Sequence, residues 1–122
     1  MGKTILIVDD SATIRQVVGM TLKGAGYEVM EASDGKDALK KLDGKKINLI
    51  ISDVNMPNMD GITFVKEAKK LASYKFTPII MLTTESQDSK KQEGQAAGAK
   101  AWVVKPFQPE QMLAAVAKLI MP

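Results

Sequence analysis

A chain of 122 residues, 45% hydrophobic and 25% charged, has the make-up of one globular domain with a single core. It contains neither Cys nor His, which excludes disulfides, thiolate zinc sites, histidine-ligated metals and Ser-His-Asp catalysis. The formal net charge of +3 comes from basic residues scattered from Lys3 to Lys118 without interleaved aromatics, so a nucleic-acid partner is not expected.

No stretch approaches the roughly 18 consecutive apolar residues of a membrane span. The four-residue apolar run after Lys3 is too short for the core of a signal peptide. A soluble cytoplasmic protein with no membrane insertion is expected.

In chain order, residues 4–8 read as a first strand. Ser11 is placed to cap a helix whose apolar positions are Ile14, Val17, Val18, Leu22 and Ala25, ending near Gly24 and Gly26. Residues 27–32 read as a second strand and Asp34-Gly35 as a turn. Ala38, Leu39 and Leu42 then mark a short second helix closed near Gly44. Leu49, Ile50 and Ile51 form an apolar run of the kind buried on both faces in parallel sheets, and it ends abruptly at Asp53. Pro57, Asn58, Asp60 and Gly61 force a loop, with Asp60 suited to cap a third helix whose apolar face is Phe64, Val65, Ala68, Leu71 and Ala72.

Pro78 opens a fourth strand, residues 79–82, ending in Thr83-Thr84. Ser86 or Asp88 then suits the cap of a fourth helix running to about Ala97. That helix has a thin apolar face, and Gly94 costs it roughly 1 kcal/mol against Ala. Residues 101–104 are a fifth strand leading into Lys105-Pro106-Phe107. Pro109 suits the first turn of a fifth helix with Met112, Leu113, Val116, Leu119 and Ile120 on its buried stripe.

Five strands alternating with five helices through short connections predict an α/β fold, a doubly wound five-stranded parallel sheet with helices on both faces, in a single domain. The carboxyl ends of its strands then converge on one edge, where such sheets hold their ligands. That edge gathers Asp9, Asp10, Asp53, Thr83 and Lys105. A lone Asp after a strand is ordinarily a turn residue or a cap, and a lone Thr or Lys ordinarily does nothing. An acidic pair, an isolated Asp, a hydroxyl and a Lys, each directly after an apolar strand, form a constellation hard to obtain by chance. Three carboxylates brought together repel one another, and a hard divalent cation such as Mg²⁺ removes that cost. The expected site is therefore Mg²⁺-dependent and handles phosphoryl groups.

These residues resemble the response-regulator receiver family over the whole chain. The likeness rests on Asp9-Asp10, on Asp53 with Met56-Pro57 and Asp60-Gly61 behind it, on Thr83, and on Lys105-Pro106-Phe107. It is nearest to the stand-alone chemotaxis regulators of the CheY type, because the chain ends with the fifth helix and carries no output domain. The resemblance implies a flavodoxin-like fold with strand order 2-1-3-4-5 over residues 1–122. It makes Asp53 the phosphoryl acceptor. Asp9, Asp10, Asp53 and the backbone carbonyl of Asn55 become the Mg²⁺ ligands. Thr83 and Lys105 become the phosphoryl contacts, and the Lys105–Pro106 bond a cis peptide.

It further implies a switch surface made by helix four, strand five and helix five. There Thr83 acts with Trp102, which stands where the family usually has a Tyr, Phe or His. The indole is expected to be substantially exposed before activation. Asn55 and Glu85 stand where fast-resetting members tune the lifetime of the phosphoryl group. The partners implied are a histidine kinase of chemotaxis type, a target such as the flagellar motor switch protein, and a phosphatase, for a chain expected to be monomeric. No enzymatic activity is expected beyond self-phosphoryl transfer and auto-dephosphorylation. Three other readings stand beside it: a phosphorelay intermediate or phosphate sink, a degenerate receiver used as a scaffold, and a Mg²⁺-dependent aspartyl-phosphate hydrolase. Against the hydrolase, the position two after the acceptor, where such enzymes place a general acid, is Asn55.

Overall fold

In a computed structural model, which describes residues 3–54, 56, 59–83, 93, 95–105 and 108–120, five strands form one parallel sheet ordered β2-β1-β3-β4-β5. They are β1 (Thr4–Val8), β2 (Glu28–Ala32), β3 (Leu49–Asp53), β4 (Ile79–Thr83) and β5 (Ala101–Val104). The helices are α1 (Ala12–Gly24), α2 (Gly35–Lys41), α3 (Gly61–Lys70) and a C-terminal helix (Pro109–Leu119). The predicted fold class and strand order are those observed. The start of the predicted fourth helix, with Ser86 and Asp88, lies outside the described residues, whereas residues 95–97 are helical.

Alternation along the strands builds the two halves of the core, because successive side chains in a strand point to opposite faces. Leu6, Val8, Ile50, Ile79 and Met81 pack on one face with Phe64, Val65 and Ala68 of α3. Ile5, Ile7, Leu49, Ile51, Ile80 and Leu82 pack on the other with Val18 and Leu22 of α1 and Met112 and Val116 of the C-terminal helix. The central strands β3 and β4 are buried at every position. That is why they read as unbroken apolar runs instead of alternating ones.

Three caps fix where helices begin. The Ser11 hydroxyl accepts from the Ile14 N–H at 3.2 Å, a carboxylate oxygen of Asp34 from the Asp37 N–H at 2.8 Å, and one of Asp60 from the Thr63 N–H at 2.7 Å. Each satisfies a backbone donor that the first turn leaves without a partner.

Helical periodicity overruns in three places: Ala25, on the expected α1 stripe, lies past the helix end at Gly24 and is exposed. Val17, assigned to the α1 stripe, is exposed, and Gly19 is buried instead, beside Val29 and Ile7. Leu71 and Ala72 were assigned to the α3 stripe, but the chain leaves the helix at Lys70 and makes a 3-10 turn, Ala72–Tyr74, that leaves both exposed. The turn buries Tyr74, whose hydroxyl accepts from the Gly44 N–H at 2.9 Å and donates to the Lys45 carbonyl at 2.7 Å. β2 begins at Glu28, not Tyr27.

The loop after Asp53 closes tightly. The Gly61 N–H donates to the Val54 carbonyl at 2.7 Å, and a Cβ on Gly61 would lie 2.0 Å from the carbonyl oxygen of Asp53. Only glycine lets the first turn of α3 sit against the end of β3. Gly61→Ala must push backbone apart, and overpacking of this kind costs roughly 1–3 kcal/mol. The variant is expected to lose several degrees of melting temperature, read by thermal denaturation followed by circular dichroism. An unchanged melting temperature would show that the loop adjusts freely.

Candidate phosphoryl-transfer site

The parallel register brings the strand ends together. Ser52 lies opposite Val8 in β1, and Asp53 lies opposite Leu82 in β4. Asp53 therefore emerges beside the residue that follows β1, Asp9, and beside the last residue of β4, Thr83. Asp9, Asp10 and Asp53 each offer a carboxylate oxygen within 4.8 Å of the others. Asp9 is fully buried, Asp53 is 7% exposed, and Asp10 is open to solvent. The buried members hold fixed positions, and Asp10 leaves one side of the cluster accessible to water.

Lys105 arrives from the end of β5. Its Nζ lies 3.0 Å from Asp53 Oδ1 and 3.2 Å from Asp9 Oδ2. Its backbone N–H donates to the Thr83 carbonyl at 2.6 Å, which locks the ends of β4 and β5 side by side. Asp9 is held further: its Oδ1 accepts from the Ser11 N–H at 2.9 Å and its carbonyl from Arg15 Nη1 at 2.6 Å. Arg15 in turn pairs with Glu31 of β2 at 3.1 Å. Nothing in the sequence singles out Arg15. Its spacing on α1 carries no signal, and the contact follows from how α1 lies over β1 and β2.

Burial pushes the Asp53 carboxyl above the ordinary carboxylate range. The hydrogen bond from Lys105 opposes that shift and the nearby Asp9 charge adds to it. At Lys105, burial works against the charge, but the hydrogen bond and charge of Asp53, followed by those of Asp9, outweigh it and hold the ammonium above its usual value. Lys105 is therefore charged at neutral pH.

Three carboxylates and one ammonium leave the cluster two negative charges in excess. A divalent cation with a preference for carboxylate oxygen balances that excess, and the donor set fits Mg²⁺. Thr83 is buried where the fold requires it, at the carboxyl end of β4. The structure thus brings together Asp9, Asp10, Asp53, Thr83 and Lys105. Asn55, Glu85, Pro106 and Phe107 lie outside the described residues, and with them the predicted carbonyl ligand, one lifetime position and the cis peptide.

Trp102 is half-buried, not substantially exposed. It packs against the core cluster that contains Phe64 and Met81, and its Nε1 is buried with no hydrogen-bond partner among the described residues.

Residues 5–117 match the response regulator receiver domain. The chain belongs to that family. It is 41% identical to the chemotaxis protein CheY1 of Helicobacter pylori over 108 residues, covering 87% of each chain. The structure of chemotaxis protein CheY4 of Vibrio cholerae superposes with a TM-score of 0.93 at 52% identity, over 98% of this chain and 100% of that one. It is also 38% identical over 120 residues to the alkaline phosphatase synthesis transcriptional regulatory protein PhoP of Bacillus subtilis. There the match takes 98% of this chain but only 49% of the relative, so the chain spans about half the length of that regulator. Receiver domains are the switches of two-component signalling. They are phosphorylated on an Asp and work between a histidine kinase and a downstream target. Among the described residues no helix is long and apolar enough to cross a membrane.

The raised carboxyl of Asp53 sets a stability test. Its neutral form is the one the fold prefers, so its stabilising contribution is fully present below the unfolded value near 3.8 and is lost as pH rises through the higher folded value. Asp53→Asn, which mimics the neutral form, is expected to melt higher than wild type at pH 7 without metal. The gain should shrink as pH falls toward the ordinary carboxylate range. Thermal melts of both proteins across that range check it, and a variant less stable at pH 7 would mean that the Lys105 pairing outweighs burial.

Proposed function

We propose that this chain is a phosphorylation-operated signalling switch of the chemotaxis type. A histidine kinase donates a phosphoryl group to Asp53, and the altered surface binds a target such as the flagellar motor switch. The observation that carries this reading is Lys105 Nζ set between Asp53 and Asp9 inside the three-carboxylate cluster. The group that must neutralise an incoming phosphoryl is already in place beside the acceptor.

A carboxylate oxygen of Asp53 attacks phosphorus, the bond from phosphorus to the imidazole nitrogen of the donor breaks, and its electron pair returns to the ring. A phosphohistidine is already an activated donor, so positioning and charge neutralisation supply most of the catalysis. Mg²⁺, held by Asp9, Asp10, Asp53 and the carbonyl of Asn55, would supply charge neutralisation at the phosphoryl oxygens. Lys105 turns from the Asp53 carboxylate to a phosphoryl oxygen, and the Thr83 hydroxyl donates to another. Asn55 and Glu85 tune how long the acyl phosphate persists. The similarity to CheY1 along most of both chains favours a stand-alone cytoplasmic regulator over half of a transcription factor.

Trp102 is the reporter of the switch. No hydrogen bond among the described residues holds the indole N–H, and a buried donor left so costs roughly 1–3 kcal/mol, which favours its release. When Thr83 moves toward the phosphoryl group, the space behind it is open to the ring.

Acetyl phosphate with Mg²⁺ is expected to add one phosphoryl group to wild type and none to Asp53→Asn, read by intact-protein mass spectrometry. Labelling of the variant at the wild-type level, or labelling indifferent to a chelator, overturns the assignment. In parallel, beryllofluoride with Mg²⁺ is expected to reduce acrylamide quenching of the single tryptophan, Trp102, and Thr83→Ala to weaken that response. Superimposable quenching curves with the mimic bound remove Trp102 from the switch.

A further inference from the structure

At the edge of the sheet opposite the carboxylate cluster, one aromatic ring stands out in solvent. Phe76 is 87% exposed, and the Lys75 Nζ lies over its ring at 5.7 Å. The loops and helix ends gathered here are those that lead into the amino ends of β3, β4 and β5. Hydrogen bonds tie them together. Tyr74, two residues before Phe76, bonds to the Lys45 carbonyl. Lys69 donates to the carbonyl of Thr77, and the Lys100 N–H donates to the Ile79 carbonyl at 2.9 Å.

The segments that meet at this edge carry Lys45, Lys46, Lys70, Lys75 and Lys100, all exposed, and the half-buried Lys69, with Asp43 and Glu67 as their acids, paired with Lys45 and Lys70. Six lysines against two acids leave +4 on this patch, more than the formal +3 of the whole chain. Lys69 and Lys70 suit the last turn of a helix on dipole grounds. Lys45, Lys46, Lys75 and Lys100 lie outside any helix, so the helix dipole does not account for them.

We infer that this edge docks on an anionic lipid surface, with Phe76 entering the interface and the lysines of the same edge on the headgroups. The chemistry favours lipid over an acidic protein. Protein interfaces are enriched in Arg and depleted of Lys, and the only arginine of this chain, Arg15, is at the other edge. An ammonium on a flexible stem attracts laterally mobile phosphates without needing a fixed partner geometry. A single aromatic on an edge rich in lysines supplies both signals, apolar and electrostatic, that reversible membrane binding needs. A single-stranded nucleic acid is disfavoured because stacking surfaces use several aromatics and this patch has one. Docked this way, the chain would hold Asp53 and Lys105 away from the bilayer, so the proposal does not depend on the phosphorylation reading.

Sedimentation with vesicles tests it. Wild type is expected to partition onto mixed phosphatidylcholine–phosphatidylglycerol vesicles, weakly at raised salt, and not onto phosphatidylcholine alone. Phe76→Ser should lower the partition coefficient roughly tenfold, the scale of withdrawing one aromatic side chain from an apolar phase. It should leave the melting temperature unchanged, because the ring has few partners to lose. Lys45→Gln/Lys75→Gln/Lys100→Gln should abolish binding, whereas Lys36→Gln/Lys66→Gln, the control for charge elsewhere, should retain most of it. Failure of wild type to bind anionic vesicles overturns the proposal, as does equal binding by Phe76→Ser. Phe76-dependent binding to poly-glutamate or to a single-stranded oligonucleotide, tighter than to vesicles, reassigns the patch to that partner and overturns it too.

Discussion

The structure depends on an electrostatic compromise at one edge of the sheet. Burying Asp9 and Asp53 side by side is unfavourable for both, and Lys105 at 3.0 and 3.2 Å offsets part of that repulsion. The remainder is left standing as an excess of negative charge. A site that balanced itself fully would have no reason to take up a cation. The residual imbalance is what a divalent cation would answer, and the packing around it holds the cluster against relaxation.

Maintenance is visible in how many backbone groups are committed around the cluster. Asp9 is fixed by the Ser11 N–H and through its carbonyl by Arg15. The ends of β4 and β5 are tied by the bond from Lys105 to Thr83. β3 and β4 are buried along their whole length, so the carboxylate and the hydroxyl at their tips cannot slide in register without exposing core. Preorganisation of this kind spares the reaction the cost of gathering its groups.

The parts of the site that were legible in the sequence were those where chemistry changes abruptly along the chain. Asp9, Asp53, Thr83 and Lys105 each terminate an apolar strand, and parallel topology turns that one-dimensional signal into a three-dimensional cluster. Helix starts were legible for a similar reason, since Ser11 and Asp60 announce themselves by type and position. What could not be read depends on contacts between distant segments. Arg15 looks like any solvated helix residue until α1 is laid over β1. Leu71 continues a helical period that the chain abandons so that Tyr74 can reach Gly44 and Lys45. The half-burial of Trp102 is set by packing against the sheet's α3 side, which no local pattern reports.

The glycine at position 61 has a mechanical consequence. With the carbonyl oxygen of Asp53 lying where a side chain would begin, and the next carbonyl bonded to the same residue's N–H, β3 and α3 meet in a joint that has no slack. A displacement at Asp53 meets a stiff wall on that flank. On the other flank stand a threonine and an indole whose N–H is held by nothing among the described residues. The domain is therefore stiff on the α3 side of Asp53 and less constrained on the side of β4 and β5, and the absence of a single methyl group sets that asymmetry.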